Sequence, residues 1–97
     1  MRIISIKKLR DFWQKHPDSE QPLRSWYAEV KKVNWKKPND CKKIFKTASI
    51  LQNNRTVFNI KGNDYRLITA VNYDFGIVYI RFIGTHSEYD RINAKEI

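Results

Sequence analysis

Residues 55–86 read RTVFNIKGNDYRLITAVNYDFGIVYIRFIGTH, and this stretch decides the fold. Its β-branched and aromatic runs predict three strands, at 55–61, 65–73 and 77–84. The first two are separated by Gly62-Asn63, which is typical of a two-residue hairpin turn. Asp74-Phe75-Gly76 predicts a second hairpin with a three-residue loop. The stretch therefore predicts an antiparallel meander.

The residues before the meander predict one strand and a pair of helices. Residues 2–6 are rich in β-branched side chains and predict an opening strand. A first helix is indicated by residues at helical spacing, namely Leu9, Phe12, Trp13 and His16. Pro17-Asp18-Ser19 ends that helix and offers an N-cap to the next one. The second helix, 20–33, follows from the i, i+3, i+4, i+7 stripe of Leu23, Trp26, Tyr27, Val30 and Val33.

The predicted fold class is α+β, with an N-terminal strand and a two-helix hairpin packed on an antiparallel β-sheet meander. A length of 97 residues fits a single domain that spans residues 1–97. We expect residues 34–48 to be irregular or weakly helical and to be anchored by Trp35, Ile44 and Phe45. Residues 86–94 predict either a final helical turn or a tail that lies across the sheet.

The charge of the chain indicates its class of partner. Nineteen Lys and Arg residues against ten Asp and Glu residues give a formal net charge of +9. A small protein with this excess attracts polyanions, so nucleic acid is the favoured partner. Solubility alone is the alternative, although it requires less charge than this.

Membrane insertion, secretion and a cysteine-based zinc site are not indicated. No apolar run approaches the roughly 20 residues that a membrane span needs. The short apolar N-terminus is followed at once by Lys7 and Lys8, which is the wrong order for a signal peptide. The single Cys41 excludes a disulfide within the chain. We therefore expect a cytoplasmic protein.

The predicted hairpins bring polar residues to one end of the sheet. A two-residue turn at Gly62-Asn63 places Asn59 opposite Arg66. A three-residue second loop pairs Tyr73 with Ile77, and the same register places Arg66 opposite Gly84. Thr85 and His86 follow at that end, so we expect Asn59, Arg66, His86 and Tyr89 to meet at one patch. A one-residue slip would turn Arg66 to the other face.

These residue types suit the cleavage of RNA by its own 2′-OH. That reaction needs a base for the hydroxyl, a cation for the phosphorane and an acid for the 5′ oxygen. Histidine gives or takes a proton near neutral pH, so His86 suits this step. Arg66 offers a forked clamp for phosphate oxygens, and Tyr89 a ring for stacking or a proton. Such a scheme requires no metal and no cofactor. The sequence also offers no cluster of carboxylates with a second histidine that would suggest a metal site.

Each of these residues also has a purely structural interpretation. His86 has the alternative of a surface or capping position, and Arg66 that of an ion pair with Asp64 or Glu88. Tyr89 has the alternative of covering the sheet edge.

Arg81 and a run of lysines likewise have both a functional and a structural interpretation. Arg81 alternates with Tyr79 and Ile83, and an ion pair with Asp90 or Glu88 competes with a phosphate contact. A charge run is usually just solvated, yet aromatic residues interleave this one, as is common in RNA-binding surfaces. The run comprises Lys36, Lys37, Lys42, Lys43 and Lys46.

At these residues the sequence resembles the HigB branch of the RelE toxin superfamily. The resemblance spans nearly the whole chain and is strongest from Trp35 to Asp90. Order and spacing carry it, since no single short motif is diagnostic. The matching segments are WKKP at 35–38, VFNI at 57–60, GN at 62–63, YRLI at 65–68, VYIRFIGTH at 78–86 and EYD at 88–90.

The resemblance implies a RelE-like fold and an mRNA endonuclease that acts on translated messages in the ribosomal A site. It implies a HigA-type helix-turn-helix antitoxin as partner, and contact with operator DNA only through that complex. The family's arginine, histidine and Tyr-Asp residues correspond to Arg66, His86 and Tyr89-Asp90. The lysine pair of the founding RelE toxins has no clear match, which leaves the general base open. Three residues are candidates for the missing charge, namely Lys61, Arg55 and Lys46.

The sequence thus predicts two sets of site residues. The predicted catalytic residues are Arg66, His86, Tyr89 and Arg81. The predicted RNA-binding residues are Lys36, Lys37, Asn59, Lys61 and Asp90.

Overall fold

A computed structural model describes the whole chain, from Met1 to Ile97. Two 3-10 segments, Pro17–Ser19 and Pro38–Lys43, lie among five strands and three α-helices. The elements are β1 (Arg2–Ile4), α1 (Lys7–Lys15), α2 (Glu20–Lys32), β2 (Ser49–Leu51), β3 (Arg55–Ile60), β4 (Tyr65–Asn72), β5 (Ile77–Thr85) and α3 (His86–Tyr89). No helix is both long enough and apolar enough to cross a membrane.

The five strands form one sheet in the order β1-β5-β4-β3-β2. The β3-β4-β5 meander is antiparallel, so the predicted α+β architecture with a meander is confirmed. β1 adds to β5 in parallel, which makes the sheet mixed. β2 was not predicted; it has three residues and reaches β3 through a turn in which Asn53 and Asn54 have φ values of 61° and 56°. Asparagine tolerates this left-handed conformation better than most residues.

The two long helices cover one face of the sheet, which we call the helix face. Leu9 and Phe12 of α1 are buried, as are the α2 residues Leu23, Trp26 and Val30. They pack against alternate strand residues, including Phe58, Leu67, Val71, Val78 and Ile80. Burial of each large apolar side chain contributes about 1.5–3 kcal/mol, so this layer holds most of the core.

The C-terminal residues cross the opposite face, which we call the tail face. Val57, Ile68 and Ala94 form a second small core there. Asn53 Nδ2 donates to the carbonyl of Lys95 (3.0 Å), and Arg55 Nε donates to the carbonyl of Ile97 (3.0 Å). Both structures predicted for residues 86–94 therefore occur, because a helical turn is followed by a tail that lies across the sheet.

The hairpin registers at the first connection are as predicted, although the turn is longer. Asn59 pairs with Arg66, and the ladder ends at Ile60 and Tyr65, so the connection is the four residues 61–64. The prediction of a two-residue turn is therefore wrong.

The second connection contains two departures that cancel. Ile77 pairs with Asn72 and not with the predicted Tyr73, so this loop also has four residues, 73–76. The ladder then shifts by one residue, because Thr69 pairs with Ile80 and Ile68 with Phe82. Arg81 is the extra residue of this β-bulge. The bulge restores the predicted pairing of Arg66 with Gly84.

The segment between α2 and β2 is mostly irregular, with the single 3-10 segment Pro38–Lys43. Trp35 is buried and Phe45 packs on the core, as predicted. Ile44 is 40% exposed, so its predicted role as an anchor is wrong.

Candidate active site

Arg66 lies on the tail face, near the end of the sheet from which α3 emerges. Its Nη1 donates to the carbonyl of Asn63 (3.0 Å), and its Cζ lies 5.8 Å from the centroid of the Tyr89 ring. Neither predicted ion pair forms. Asp64 pairs with Lys61 (3.4 Å), and a Glu88 carboxylate oxygen accepts the backbone N–H of Thr85 (2.8 Å). The guanidinium therefore keeps its charge available for an anionic ligand.

A reciprocal capping interaction fixes the start of α3. Thr85 Oγ1 accepts the backbone N–H of Glu88 (3.2 Å), while Glu88 accepts that of Thr85. The bond from the Thr85 backbone holds the pKa of the Glu88 carboxyl below its usual value. This capping box sets the direction of a four-residue helix that would not be stable alone.

Gly84 makes room for this arrangement. A Cβ at position 84 would lie 2.4 Å from Phe82 Cζ and 3.0 Å from Glu88 Oε1. The residue opposite Arg66 therefore has to be small, because the Phe82 ring and the capping carboxylate occupy the space of a side chain.

His86 is the first residue of α3 and is paired with Asp90. The distance from its Nδ1 to Asp90 Oδ2 is 3.1 Å, and the two side chains are 52% and 60% exposed. A carboxylate on one ring nitrogen orients an imidazole and leaves the other nitrogen, Nε2, to react. His86 lies at the surface, as its structural alternative proposed, but the capping role belongs to Thr85 and Glu88. Asp90, predicted to bind RNA, makes its contact with His86.

Tyr89 contributes to both the small core and the site. Its ring packs against the Val57, Ile68 and Ala94 cluster and faces the guanidinium of Arg66. The ring therefore covers part of the sheet, while its contact with RNA stays a prediction.

The structure does not bring Arg81 into contact with these residues. Its Cζ lies 5.7 Å from the centroid of the Tyr79 ring, and it lines an open depression of about 400 Å³ with Ala70 and Asn72. The bulge prevents the predicted common direction of Tyr79, Arg81 and Ile83. Tyr79 pairs with Ala70 on the tail face, while Ile83 pairs with Leu67 on the helix face. Arg81 forms no ion pair with Asp90 or Glu88.

Of the predicted RNA-binding lysines, Lys61 lies in the β3–β4 turn near the patch but is paired with carboxylates, whereas Lys36 and Lys37 lie apart from it. Lys61 Nζ lies 2.7 Å from Asp18 Oδ2 and 3.4 Å from Asp64 Oδ2, and these carboxylates raise the pKa of the lysine. Lys36 and Lys37 lie near the β4–β5 turn, at the other end of the sheet. They follow Asn34, whose Oδ1 would lie 3.8 Å from a Cβ added to Gly76. Only Asn59 is directly beside Arg66.

The arrangement combines a free cation against an aromatic ring with a carboxylate-oriented imidazole. Such a group can hold a phosphate, stack a base and move a proton. No three His, Cys, Asp or Glu side chains converge anywhere in the chain.

Comparison with known proteins gives the family. A family model described as HigB toxin, the RelE-like toxic component of a toxin-antitoxin system, matches residues 19–92. The chain belongs to the HigB toxin family. The mRNA interferase toxin HigB of Escherichia coli K12 is 31% identical over 96 residues, which cover 97% of this chain and 92% of that protein. The mRNA interferase HigB of Escherichia coli O6:H1 is 26% identical over 94 residues, which cover 95% and 91%.

Membership of the HigB family makes this chain the toxin of a toxin-antitoxin pair, so an antitoxin is its partner. Nothing in the sequence indicated one side chain that lies next to the candidate site, that of Asp18. Asp18 lies in the 3-10 segment Pro17–Ser19 and binds both Lys61 and Tyr65. The Pro-Asp-Ser motif indicated only a helix boundary, and even there Ser19 donates to the carbonyl of His16 (2.7 Å) instead of capping α2.

Proposed function

We propose that this HigB toxin is an endoribonuclease that cuts mRNA. One observation carries the proposal. Arg66, which no carboxylate neutralises, lies against the Tyr89 ring at the sheet end where His86 pairs with Asp90. The names of the relatives, mRNA interferases, support the same substrate.

In the proposed reaction the 2′-OH of one nucleotide gives its proton to water while its oxygen attacks the adjacent phosphorus. A 2′,3′-cyclic phosphate forms, the bond to the 5′ oxygen breaks, and that oxygen leaves with a proton. Arg66 stabilises the charge of the phosphorane, as forked cations do at transferring phosphoryl groups. His86 transfers a proton through Nε2, Asp90 orients its ring, and Tyr89 stacks on a base beside the cleaved bond. All these groups belong to the chain, so the scheme uses no metal and no cofactor.

The remaining predicted residues have supporting parts in this proposal. Asn59, beside Arg66, contacts the RNA next to the reacting phosphate. Arg81, Lys36 and Lys37 attract the RNA backbone away from the cleaved bond, in keeping with the net charge of +9. Lys61 contributes least, because Asp18 and Asp64 already neutralise it.

We further propose that the toxin acts in the cytoplasm, on messages in the ribosomal A site. Its antitoxin is a HigA-type helix-turn-helix protein, and the toxin reaches operator DNA only through their complex. These statements rest on the family resemblance and on the positive charge of the chain.

The test is induction of the toxin followed by mapping of mRNA 5′ ends. We expect cuts that are phased with codons, and the same cuts in an in-vitro translation reaction that contains EDTA. His86→Ala and Arg66→Ala should abolish the growth arrest and leave only a small fraction of the cuts, while antitoxin binding persists. Growth arrest without new 5′ ends would instead identify a non-catalytic RNA- or ribosome-binding module, whose binding should weaken steeply with salt.

A further inference from the structure

Asp18 connects the helical hairpin to both sides of the turn between β3 and β4. Its Oδ2 lies 2.7 Å from Lys61 Nζ, and its Oδ1 accepts the hydroxyl of Tyr65 (2.5 Å). Lys61 directly follows β3, and Tyr65 is the first residue of β4. One carboxylate therefore fastens both residues that flank the turn.

The backbone of this turn needs such support. Lys61 has φ 52° and Gly62 has φ 62°, both in the left-handed region. This conformation costs a non-glycine residue about 1–2 kcal/mol, so Lys61 adopts it against its own preference. The ion pairs of Lys61 with Asp18 and with Asp64 favour this conformation, since they depend on where the lysine points.

This turn also sets the direction of the Arg66 side chain. The guanidinium Nη1 donates to the carbonyl of Asn63, which lies inside the turn, at 3.0 Å. Arg66 also follows Tyr65 directly, and Tyr65 pairs with Thr85, the residue that caps α3. The contacts thus run from Asp18 through the turn to Arg66.

Asp18 does not itself belong to the RNA-contacting group. Tyr65, which it holds, belongs to the core on the helix face, whereas Arg66 lies on the tail face. A carboxylate also repels phosphate. Any effect of Asp18 on catalysis therefore acts through the residues that it holds in place.

We propose that Asp18 is a positioning residue that holds the β3–β4 turn so that the Asn63 carbonyl directs Arg66 at the scissile phosphate. This inference rests on the proposed endoribonuclease function. Loss of Asp18 lowers kcat and leaves KM nearly unchanged. Binding of the RNA is spread over many cations, whereas stabilisation of the phosphorane depends on one guanidinium.

The test compares Asp18→Asn with Asp11→Asn in a ribosome-containing cleavage assay on a defined message. Asp11 is a matched control, since it is an exposed aspartate whose one ion pair, with Lys7 at 3.5 Å, involves no residue of the turn. A displacement of about 1 Å costs up to roughly 100-fold in rate, so we expect kcat of Asp18→Asn to fall about tenfold or more. Asp11→Asn should stay within about twofold of the wild type.

A double variant separates positioning from a general structural effect. If Asp18 acts through Arg66, adding Asp18→Asn to Arg66→Ala causes no further loss. A further loss of the same size as in the single variant overturns the proposal, as does an Asp18→Asn variant with wild-type kcat. If Asp18→Asn melts below the assay temperature, Tyr65→Phe takes its place, because it removes the hydroxyl bond and keeps the ring.

The outcome for the wild-type toxin distinguishes the two proposals. Wild-type cuts together with equal cuts by Asp18→Asn contradict only the positioning role. A wild-type toxin that makes no cuts contradicts the endoribonuclease function and, with it, the role of Asp18.

Discussion

Two arginine–tyrosine pairs lie on the same face of the sheet. The distance from the arginine Cζ to the ring centroid is 5.8 Å for Arg66 and Tyr89 and 5.7 Å for Arg81 and Tyr79. Only the first pair lies beside a histidine, and only its arginine is held by a backbone carbonyl. A cation against a ring therefore does not by itself single out the candidate site. The capped turn after β5 distinguishes the first pair, because it adds a histidine, a group that can transfer a proton.

The sharpest test of this difference replaces each arginine in turn. Arg66→Ala should lower the cleavage rate about 100- to 1000-fold, which is the usual cost of removing one donor that stabilises transition-state charge. Arg81→Ala should cost less than about tenfold and should act on KM. The measurement is kcat and KM on one defined message at fixed salt. Equal losses in the two variants would show that both arginines serve the reacting phosphate.

A second test targets the space opposite Arg66. In Gly84→Ala the new Cβ would lie 2.4 Å from Phe82 Cζ, so the ring or the strand has to shift. Overpacking of this kind costs about 1–3 kcal/mol, and we expect urea denaturation to show that loss. Gly62→Ala is the matched control for space, since no atom lies within 4 Å of a Cβ there, although its φ of 62° adds backbone strain. If Gly84→Ala keeps wild-type stability, Phe82 does not constrain this position.

How far the sequence predicts the molecule depends on how local each feature is. The pairing of Asn59 with Arg66 follows from turn residues only a few positions away, and the structure confirms it. The pairing of Arg66 with Gly84 was reached through a wrong loop length that the bulge at Arg81 offsets. A bulge leaves no pattern in a strand of alternating residues, so neither departure was predictable.

The contacts of Asp18 illustrate the same limit at longer range. Its partners Lys61 and Tyr65 are 43 and 47 residues away in the chain. Local periodicity identified the two helices and the meander but not how closely the helix boundary approaches the turn. The His86–Asp90 pair, by contrast, is an i, i+4 contact within one turn of helix, although the sequence assigned Asp90 to RNA.

A third test concerns Asp90, whose pairing with His86 distinguishes the first arginine–tyrosine pair from the second. Asp90→Asn keeps the size of the side chain but removes the charge that faces His86 Nδ1. We expect kcat to fall about tenfold, which corresponds to about 1.4 kcal/mol, because the ring loses its preferred orientation and tautomer. Asp74→Asn, at the end of the sheet where Arg81 lies, should leave kcat unchanged. A neutral result for Asp90→Asn would assign Asp90 to RNA contact, which a rise in KM would then reveal.

The smallest expected effect concerns stability against pH and tests whether the Arg66 end of the sheet is anchored by Asp18. Hydrogen bonds from Lys61 and Tyr65 lower the pKa of Asp18 below its ordinary 3.8, and the charge of His16 acts in the same direction. A lowered folded-state pKa gives stability that is present above about pH 4 and is lost as the pH falls through the folded value. The wild type should therefore have a higher melting temperature than Asp18→Asn at pH 7, and this difference in melting temperature should shrink below pH 4. The pKa of Glu88 is also lowered, but Glu88 is common to both proteins and its contribution cancels in the difference. At alkaline pH the difference should persist past the ordinary values of Tyr65 and Lys61, because the pKa of each is raised. A difference in melting temperature that stays constant from pH 7 to pH 2 would mean that the charge of Asp18 does not hold the turn.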